Sequence, residues 1–164
     1  MNPGNPCKPL LLVDVDGVIS LFGFPSNERP AGSWMIVDGS PHLISAAAPG
    51  HLQALGADFD LVWCTGWEEK ANEYLPDALG LAGELPVLSF DRNPGRGHAH
   101  WKLAAIEAYA GPERALAWVD DALNEACHAW AGERPGPTLL VETLPHVGIA
   151  DEHVARLTRW ARGL

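Results

Sequence analysis

The segment Leu10-Leu11-Leu12-Val13-Asp14-Val15-Asp16-Gly17-Val18 passes from an apolar run into two carboxylates one residue apart, and then into a glycine. A strand end that presents Asp-x-Asp is suited to hold a hard cation through oxygen and to aim a carboxylate at an electrophile. Asp14 is the candidate nucleophile, because carboxylate attack on phosphorus gives an aspartyl-phosphate. The charge of a phosphate dianion must be masked for that attack. Mg²⁺ suits the task, taking a nearly octahedral oxygen shell from one or two carboxylates, waters and substrate phosphate. Asp14 and Asp120 each offer an oxygen, the backbone carbonyl at Asp16 offers another, and Asp121 ligates directly or through water. The Asp16 side chain is then left to move protons, first to the leaving oxygen and then from the attacking water. Thr65 and the N–H of Gly66 or Trp67 are candidates for holding phosphate oxygens at a helix N-terminus. Lys102 is a candidate to neutralise Asp14 and the transferring phosphoryl group. It is one of three lysines against eight arginines.

Each of these residues also has a plain structural reading. Asp-x-Asp is commonly a turn or a cap. Thr65 after a strand is commonly an N-cap. Lys102 alone reads as a solvated helix residue. Asp120-Asp121 suits an N-cap and first helical turn, where acids favour the helix dipole. What favours chemistry is their joint placement, which depends on the elements that carry them.

Five short apolar runs lack clean alternation: residues 10–14, 59–64, 86–90, 115–119 and 138–142. They read as strands buried on both faces of a parallel sheet. Helical spacing fills most intervals, at residues 68–79, 100–110, 122–131 and 151–163. The alternation predicts one α/β domain over residues 1–164, with helices on both sides of the sheet in three layers. Residues 17–48 differ. Two short runs, 33–37 and 42–46, flank the turn signal Asp38-Gly39-Ser40-Pro41. They predict a β-hairpin flap after the first strand, followed by a helix over 49–55 with Pro49 in its first turn. Ligands of open α/β sheets bind beyond the carboxyl ends of the strands. Asp14 and Asp16, Thr65 and Gly66, and Asp120 and Asp121 all fall there, and Lys102 falls near the start of the helix that follows the third run.

The composition narrows the class of partner. The 164 residues suit one domain with a sizeable core, at 47% apolar and 20% charged. The net charge of −10 disfavours a broad nucleic-acid surface but leaves room for a phosphorylated substrate. Cys7, Cys64 and Cys127 are few and widely spaced, and read as reduced packing residues. The polar start after Met1 and the lack of a long apolar run predict a cytoplasmic protein with no membrane partner. Among the seven tryptophans, Trp63, Trp118 and Trp160 read as core, while Trp34 and Trp67 are placed to meet a ligand or to pack the flap base. His98 and His100 are spaced as two metal ligands or lie in the loop before Lys102. Arg92 and Arg96 form a cationic entrance or a solvated turn. Asn124 orients the metal shell or lies on a helix surface.

These motifs together resemble the haloacid dehalogenase (HAD) superfamily of phosphohydrolases. The strand ending in Asp-x-Asp is Leu12-Val13-Asp14-Val15-Asp16-Gly17-Val18. The strand ending in Thr is Leu61-Val62-Trp63-Cys64-Thr65-Gly66. The lysine stands in His100-Trp101-Lys102-Leu103, and the acidic pair ends Ala117-Trp118-Val119-Asp120-Asp121. The resemblance covers roughly residues 9–142. It implies a Rossmann-like domain with a five-stranded parallel sheet in the order 5-4-1-2-3. It also implies Mg²⁺-dependent phosphomonoester hydrolysis through Asp14, with Asp16 marking a phosphatase and not a dehalogenase. The chain has no room for a large cap and looks minimally capped. Such members take large or macromolecular phosphates, or borrow a cap from a partner. The Trp63–Glu68 segment with His100-Trp101-Lys102 is similar to HAD domains associated with RNA-repair proteins, which makes a nucleic-acid-end phosphatase an alternative. A fold-only domain that binds a partner or a phosphorylated ligand is another. A phospho-accepting receiver domain fits less well, because its acidic pair and its phosphorylated Asp sit on other strands. The open site and the hairpin leave room for a homodimer.

Overall fold

The computed structural model describes residues 7–91 and 100–164. Arg92, Arg96 and His98 lie outside the described residues. Among the described residues, seven strands and five helices are arranged as β1 (Leu10–Val13), β2 (Ser20–Leu21), β3 (Gly32–Val37), β4 (Ser40–Ser45), α1 (Ala48–Gly56), β5 (Asp60–Trp63), α2 (Lys70–Leu79), α3 (Leu103–Ala110), β6 (Leu116–Asp120), α4 (Glu125–Glu133), β7 (Thr138–Glu142) and α5 (Asp151–Arg162).

The main sheet is parallel and runs β5-β1-β6-β7. Both central strands are buried along their whole length, which is why their sequences show no alternation. Their side chains still divide by parity. Leu11, Val13, Ala117, Val119 and Trp63 enter one core with Leu52, Leu55, Leu75, Leu79 and Leu157 from α1, α2 and α5. Leu10, Leu12, Leu116, Trp118 and Cys64 enter a second core with Leu103, Ile106 and Cys127 from α3 and α4. The result is three layers. Each fully buried Leu or Val contributes about 1.5–3 kcal/mol, so β1 is anchored from both faces before its acids begin.

The sheet has four strands and not the expected five. The run at 86–90 makes a single bridge, Trp63 with Val87, through Trp63 N–H to Pro86 O at 2.8 Å and Leu88 N–H to Trp63 O at 3.0 Å. The reason is a side chain of α2. Leu85, the next residue that could join β5, gives both backbone groups to the Asn72 side chain, with N–H to Oδ1 at 3.1 Å and Nδ2 to O at 2.8 Å. Pro86 has no N–H to donate. A side-chain amide thus takes the place of a ladder neighbour. The expected order 5-4-1-2-3 is accordingly replaced by four strands, in which the runs at 138–142, 115–119, 10–14 and 59–64 lie side by side in turn.

The hairpin is present, and β2 adds a third strand to make an antiparallel sheet in the order β2-β4-β3. Its turn is tighter than expected. Only Asp38 and Gly39 form it, with φ of 49° and 80°, while Ser40 and Pro41 already pair with Val37 and Ile36. Positive φ at both central residues matches the twist of the flanking strands. The turn is tied to the main domain, because Asp38 accepts from Lys70 and Tyr74 of α2.

Helices α2, α3 and α4 start later than spacing predicts, each for a visible reason, while α5 starts at Asp151 as expected. Glu68 has φ of 48°, so α2 begins at Lys70 and not at residue 68. Helix α3 begins at Leu103 after a turn in which the His100 side chain accepts the Lys102 N–H at 3.3 Å. Helix α4 begins at Glu125 because the Asn124 side chain caps it, accepting from Cys127 N–H at 3.1 Å. Trp63 and Trp118 are fully buried, and Trp160 packs partly buried against Phe59. The three cysteines are free thiols, Cys7 exposed and the others buried. Among the described residues no helix is long and apolar enough to cross a membrane.

Candidate active site

Strands β1 and β6 are neighbours in register, so their carboxyl ends place Asp14 and Asp120 side by side. Lys102, at the start of α3, reaches between them. Its Nζ donates to Asp120 Oδ2 at 2.6 Å and to the Cys64 carbonyl at 2.9 Å, and lies 3.1 Å from Asp14 Oδ1. All three side chains are at least nine-tenths buried. The ammonium is therefore not the solvated helix residue of the plain reading. A buried cation and two buried anions are held together by contacts that none would keep alone.

The remaining oxygens are distinguished by their donors. Asp14 Oδ1 also accepts Val15 N–H at 2.8 Å, which leaves Oδ2 without a protein donor among the described residues. Asp120 Oδ1 accepts Ala122 N–H at 2.9 Å. One carboxylate oxygen from each of Asp14, Asp120 and Asp121 can lie within 4.8 Å of the others. Gly17 makes the approach of Asp121 feasible. Its φ is 77°, and a Cβ there would stand 2.4 Å from the Asp121 carboxyl carbon. Only glycine meets both conditions.

Three acids and one ammonium leave this cluster with an excess of negative charge, and the ionisation of its members responds. Burial pushes the Asp14 carboxyl up to about 7, against the pull of Lys102 and with the repulsion of Asp120 adding to it. Asp121 is raised by partial burial and by Asp120. Burial draws Lys102 down, but Asp14, Cys64 and Asp120 more than reverse this, so it stays charged. Burial raises the Cys64 thiol, which is inert as a nucleophile. An all-oxygen donor set with surplus negative charge suits a hard divalent cation. The trio of Asp14, Asp120 and Asp121 fits Mg²⁺ on that ground. The Asp16 carboxylate is not part of the trio.

Asp16 instead faces the flap. Its side chain is half-exposed, and its Oδ2 accepts the indole N–H of Trp67 at 3.0 Å. His42 of β4 comes within 3.7 Å of Oδ1. The Trp67 ring packs against His42 of the flap, which is one of the two roles expected of its side chain. Its backbone N–H is already donated to Thr65 Oγ1 at 3.1 Å, inside a turn that precedes α2. Thr65 is fully buried and closes that turn, five residues before α2 begins, so it is not the N-cap of that helix. Thr65 and the Trp67 N–H thus sit in the turn that leads into α2, ahead of its first helical residue. Gly66 does line the cleft, opposite Trp101.

His100 is buried, and its partners assign its tautomer. Nδ1 accepts from Lys102 N–H, so Nε2 carries the proton and donates to Ala122 O at 3.2 Å. Burial lowers its pKa, which favours this neutral form. It bridges the start of α3 to the loop after β6 and is thereby committed to holding the Lys102 and Ala122 backbones in place. Asn124 is the N-cap of α4, its side chain accepting the Cys127 N–H. Trp34 is exposed on the flap and does not line the cleft. His42 and Trp101 were not legible as site residues. Trp101 is two-fifths exposed at the cleft mouth, with the Lys102 ammonium 5.2 Å from its ring centroid.

The cleft bounded by these groups measures about 230 Å³. Larger grooves, of about 380 Å³ between α3 and α4 and about 530 Å³ below β5, lie away from it. Size does not select the site here. The convergent carboxylates and the buried ammonium are found only in the small cleft among the described residues. Neither protein-family models nor curated proteins match this chain.

Proposed function

We propose that the chain is a Mg²⁺-dependent phosphomonoester hydrolase of HAD type that works through an aspartyl-phosphate on Asp14. The observation that carries this reading is the buried Asp14–Lys102–Asp120 bridge at the carboxyl ends of adjacent parallel strands. A purely structural ion pair needs one acid per base, whereas here a third acid joins and a fourth stands apart at Asp16.

Asp14, Asp120 and Asp121 would hold the cation, with the Asp16 backbone carbonyl as the further oxygen, and the ion would mask phosphate charge. The chain's own groups do the rest. Lys102 fixes Asp14 Oδ1 and presents positive charge to the phosphoryl oxygens, while Oδ2 is the oxygen left to attack. As the Asp14–phosphorus bond forms and the ester bond breaks, Asp16 gives its proton to the departing oxygen. Asp16 then takes a proton from water as the water oxygen bonds to phosphorus and the Asp14–phosphorus bond breaks. The elevated Asp14 pKa describes the metal-free protein, and a cation beside it favours the nucleophilic carboxylate. The small open cleft, with the three-stranded flap beside it among the described residues, accommodates a phosphate at the end of a larger molecule. Trp101 at its mouth gives that molecule an aromatic wall.

The test is turnover of an aryl phosphate by purified protein with Mg²⁺ and with chelator, beside Asp14→Asn. Chelator-sensitive turnover that vanishes in the variant is the expected result. Equal turnover by the variant sinks the covalent route. Absence of turnover across sugar, nucleotide and nucleic-acid-end phosphates favours a domain that binds without hydrolysis.

A further inference from the structure

We infer that Trp67, braced by His42 of the flap, is the positioning residue for Asp16, so that the acid–base group is aimed by the flap. The inference rests on the phosphatase reading above and assigns a residue to each half of Asp16's proton traffic.

Asp14 and Asp16 are two residues apart, yet their supports differ. Asp14 is fixed from within the sheet by Val15 N–H and Lys102. Asp16 has a half-exposed side chain whose one hydrogen bond among the described residues comes from the Trp67 indole. Without that donor nothing in the sheet would keep its carboxylate over the cleft. Trp67 is in turn held by His42, whose ring meets it edge-on at 4.7 Å and 70°. His42 is anchored by a hydrogen bond between its Nδ1 and Ser20 Oγ at 2.9 Å. Ser20 lies in β2 and bridges back to Asp16. The circuit is closed: the turn after β1 carries Asp16, the flap carries His42 and Ser20, and the turn after β5 carries Trp67.

The geometry separates the two oxygens of Asp16. The indole N–H occupies Oδ2, which leaves Oδ1 to carry the travelling proton. His42 Nδ1, at 3.7 Å, is beyond hydrogen-bond distance of Oδ1 and does not compete for it. The proton passes from Oδ1 to the leaving oxygen as the ester bond breaks. The same oxygen receives the proton of the attacking water in the second half.

A misaimed acid matters in proportion to the leaving group's need for a proton. An alkoxide cannot leave without one, whereas 4-nitrophenolate departs unprotonated. General acid catalysis is worth roughly 10²–10⁴-fold, so loss of its aim should cost at least about tenfold, on the poor leaving group only. The experiment compares kcat/KM of the full chain with Mg²⁺ on benzyl phosphate and on 4-nitrophenyl phosphate. This constant reports the first phosphoryl transfer free of the later hydrolysis step. Trp67→Phe keeps the ring and removes the donor. It should lower the benzyl-to-nitrophenyl ratio at least about tenfold, in the same direction as Asp16→Asn. His42→Ala should lower it by a smaller factor. In parallel, the Trp67 indole N–H resonance, identified by its loss in Trp67→Phe, should shift in Asp16→Ala protein without metal. An equal fall on both esters in Trp67→Phe means a structural role and overturns the inference while the phosphatase reading stands. An indole resonance that does not move overturns the contact itself. No turnover of either ester by the unmodified chain overturns the phosphatase reading and this inference with it.

Discussion

The rim where β1 meets β6 and the flap that begins seven residues beyond β1 solve opposite problems with neighbouring acids. At the rim, Asp14 and Asp120 are buried and held by a buried ammonium, and their geometry is as rigid as the central strands beneath them. At the flap, Asp16 is half in water and held by one indole N–H from a loop, and that indole is met edge-on by the His42 ring. The rim stores electrostatic stress, because it confines more acid than base away from solvent. The flap stores little, because its charges are solvated and its contacts weak. A nucleophile needs fixed geometry, and a proton carrier needs access to both the leaving group and water. The burial of each acid matches its assigned task.

The sharpest way to break this comparison is to neutralise each acid in turn. Asp14→Asn should lower turnover by roughly 10⁴-fold or more, as removal of a nucleophile does. It should also raise the stability of the metal-free protein, since it removes a charge that burial disfavours. Asp16→Asn should lower turnover by roughly 10²–10⁴-fold with no gain in stability. Steady-state kinetics and urea unfolding on both variants check the pair. Similar stability changes in both would show that the rim is not under the stress described.

Lys102→Met reads the same stress from the other side. It leaves two carboxylates facing each other without their cation. Breaking a buried pair in this way costs about 3–5 kcal/mol, and the loss should be partly recovered by millimolar Mg²⁺, which would occupy the same field. Urea unfolding with and without the cation at neutral pH gives the answer. Full stability in the variant without metal would mean that Lys102 does not bind the two acids together in solution.

The pH dependence of the metal-free protein is a milder probe of the rim. The folded-state pKa of Asp14 is raised from 3.8 to about 7, so between those values the folded chain binds more protons than the unfolded one. Stability from this group must therefore fall as pH rises from about 4 to about 7, by at most about 1.4 kcal/mol per pH unit. Its contribution is most favourable below the lower value, and above the upper value the penalty of burying the charge is complete. Mg²⁺ should flatten the slope, and Asp14→Asn should abolish it. A slope of the opposite sign attributable to Asp14 would place its pKa below the ordinary range.

Much of this was legible in the sequence because it is written in burial. Strands β1 and β6 read as continuous apolar runs since both faces are covered, and their acids stand where those runs end. Asp38-Gly39 announced its turn because two positive φ angles in succession admit few residues. What escaped notice depends on contacts between distant residues. The loss of the fifth strand is decided by Asn72 capturing Leu85, thirteen residues away. Trp67 was read as a backbone donor and as a ring that meets a ligand or packs the flap base, but not as a donor to Asp16, since the direction of its indole toward Asp16, 51 residues earlier, is set only once the flap folds over. His42 sits in an ordinary hairpin strand, and nothing in its spacing marks it. Strand-end chemistry is local and can be read, whereas the support of a loop-borne acid is tertiary and cannot.

The smallest expected effect tests whether the flap's outer tie matters to its inner contact. Asp38 accepts from Lys70 and Tyr74, and all of this lies in solvent. The pairing with Lys70 lowers the Asp38 pKa, yet exposed pairs of this kind are screened and add little to stability. Asp38→Asn should leave the unfolding midpoint where it is. The hairpin itself is held by its turn geometry and by the buried side chains of Leu43 and Ile44, so the contact of His42 with Trp67 should survive as well. The benzyl-to-nitrophenyl ratio of kcat/KM should then stay within about twofold of the unmodified chain, a difference equivalent to about 0.4 kcal/mol. A much larger fall, with the midpoint unchanged, would show that the tip tie transmits to Asp16. The flap would then aim its acid as a lever pivoting on α2, and the indole alone would not be sufficient to hold it.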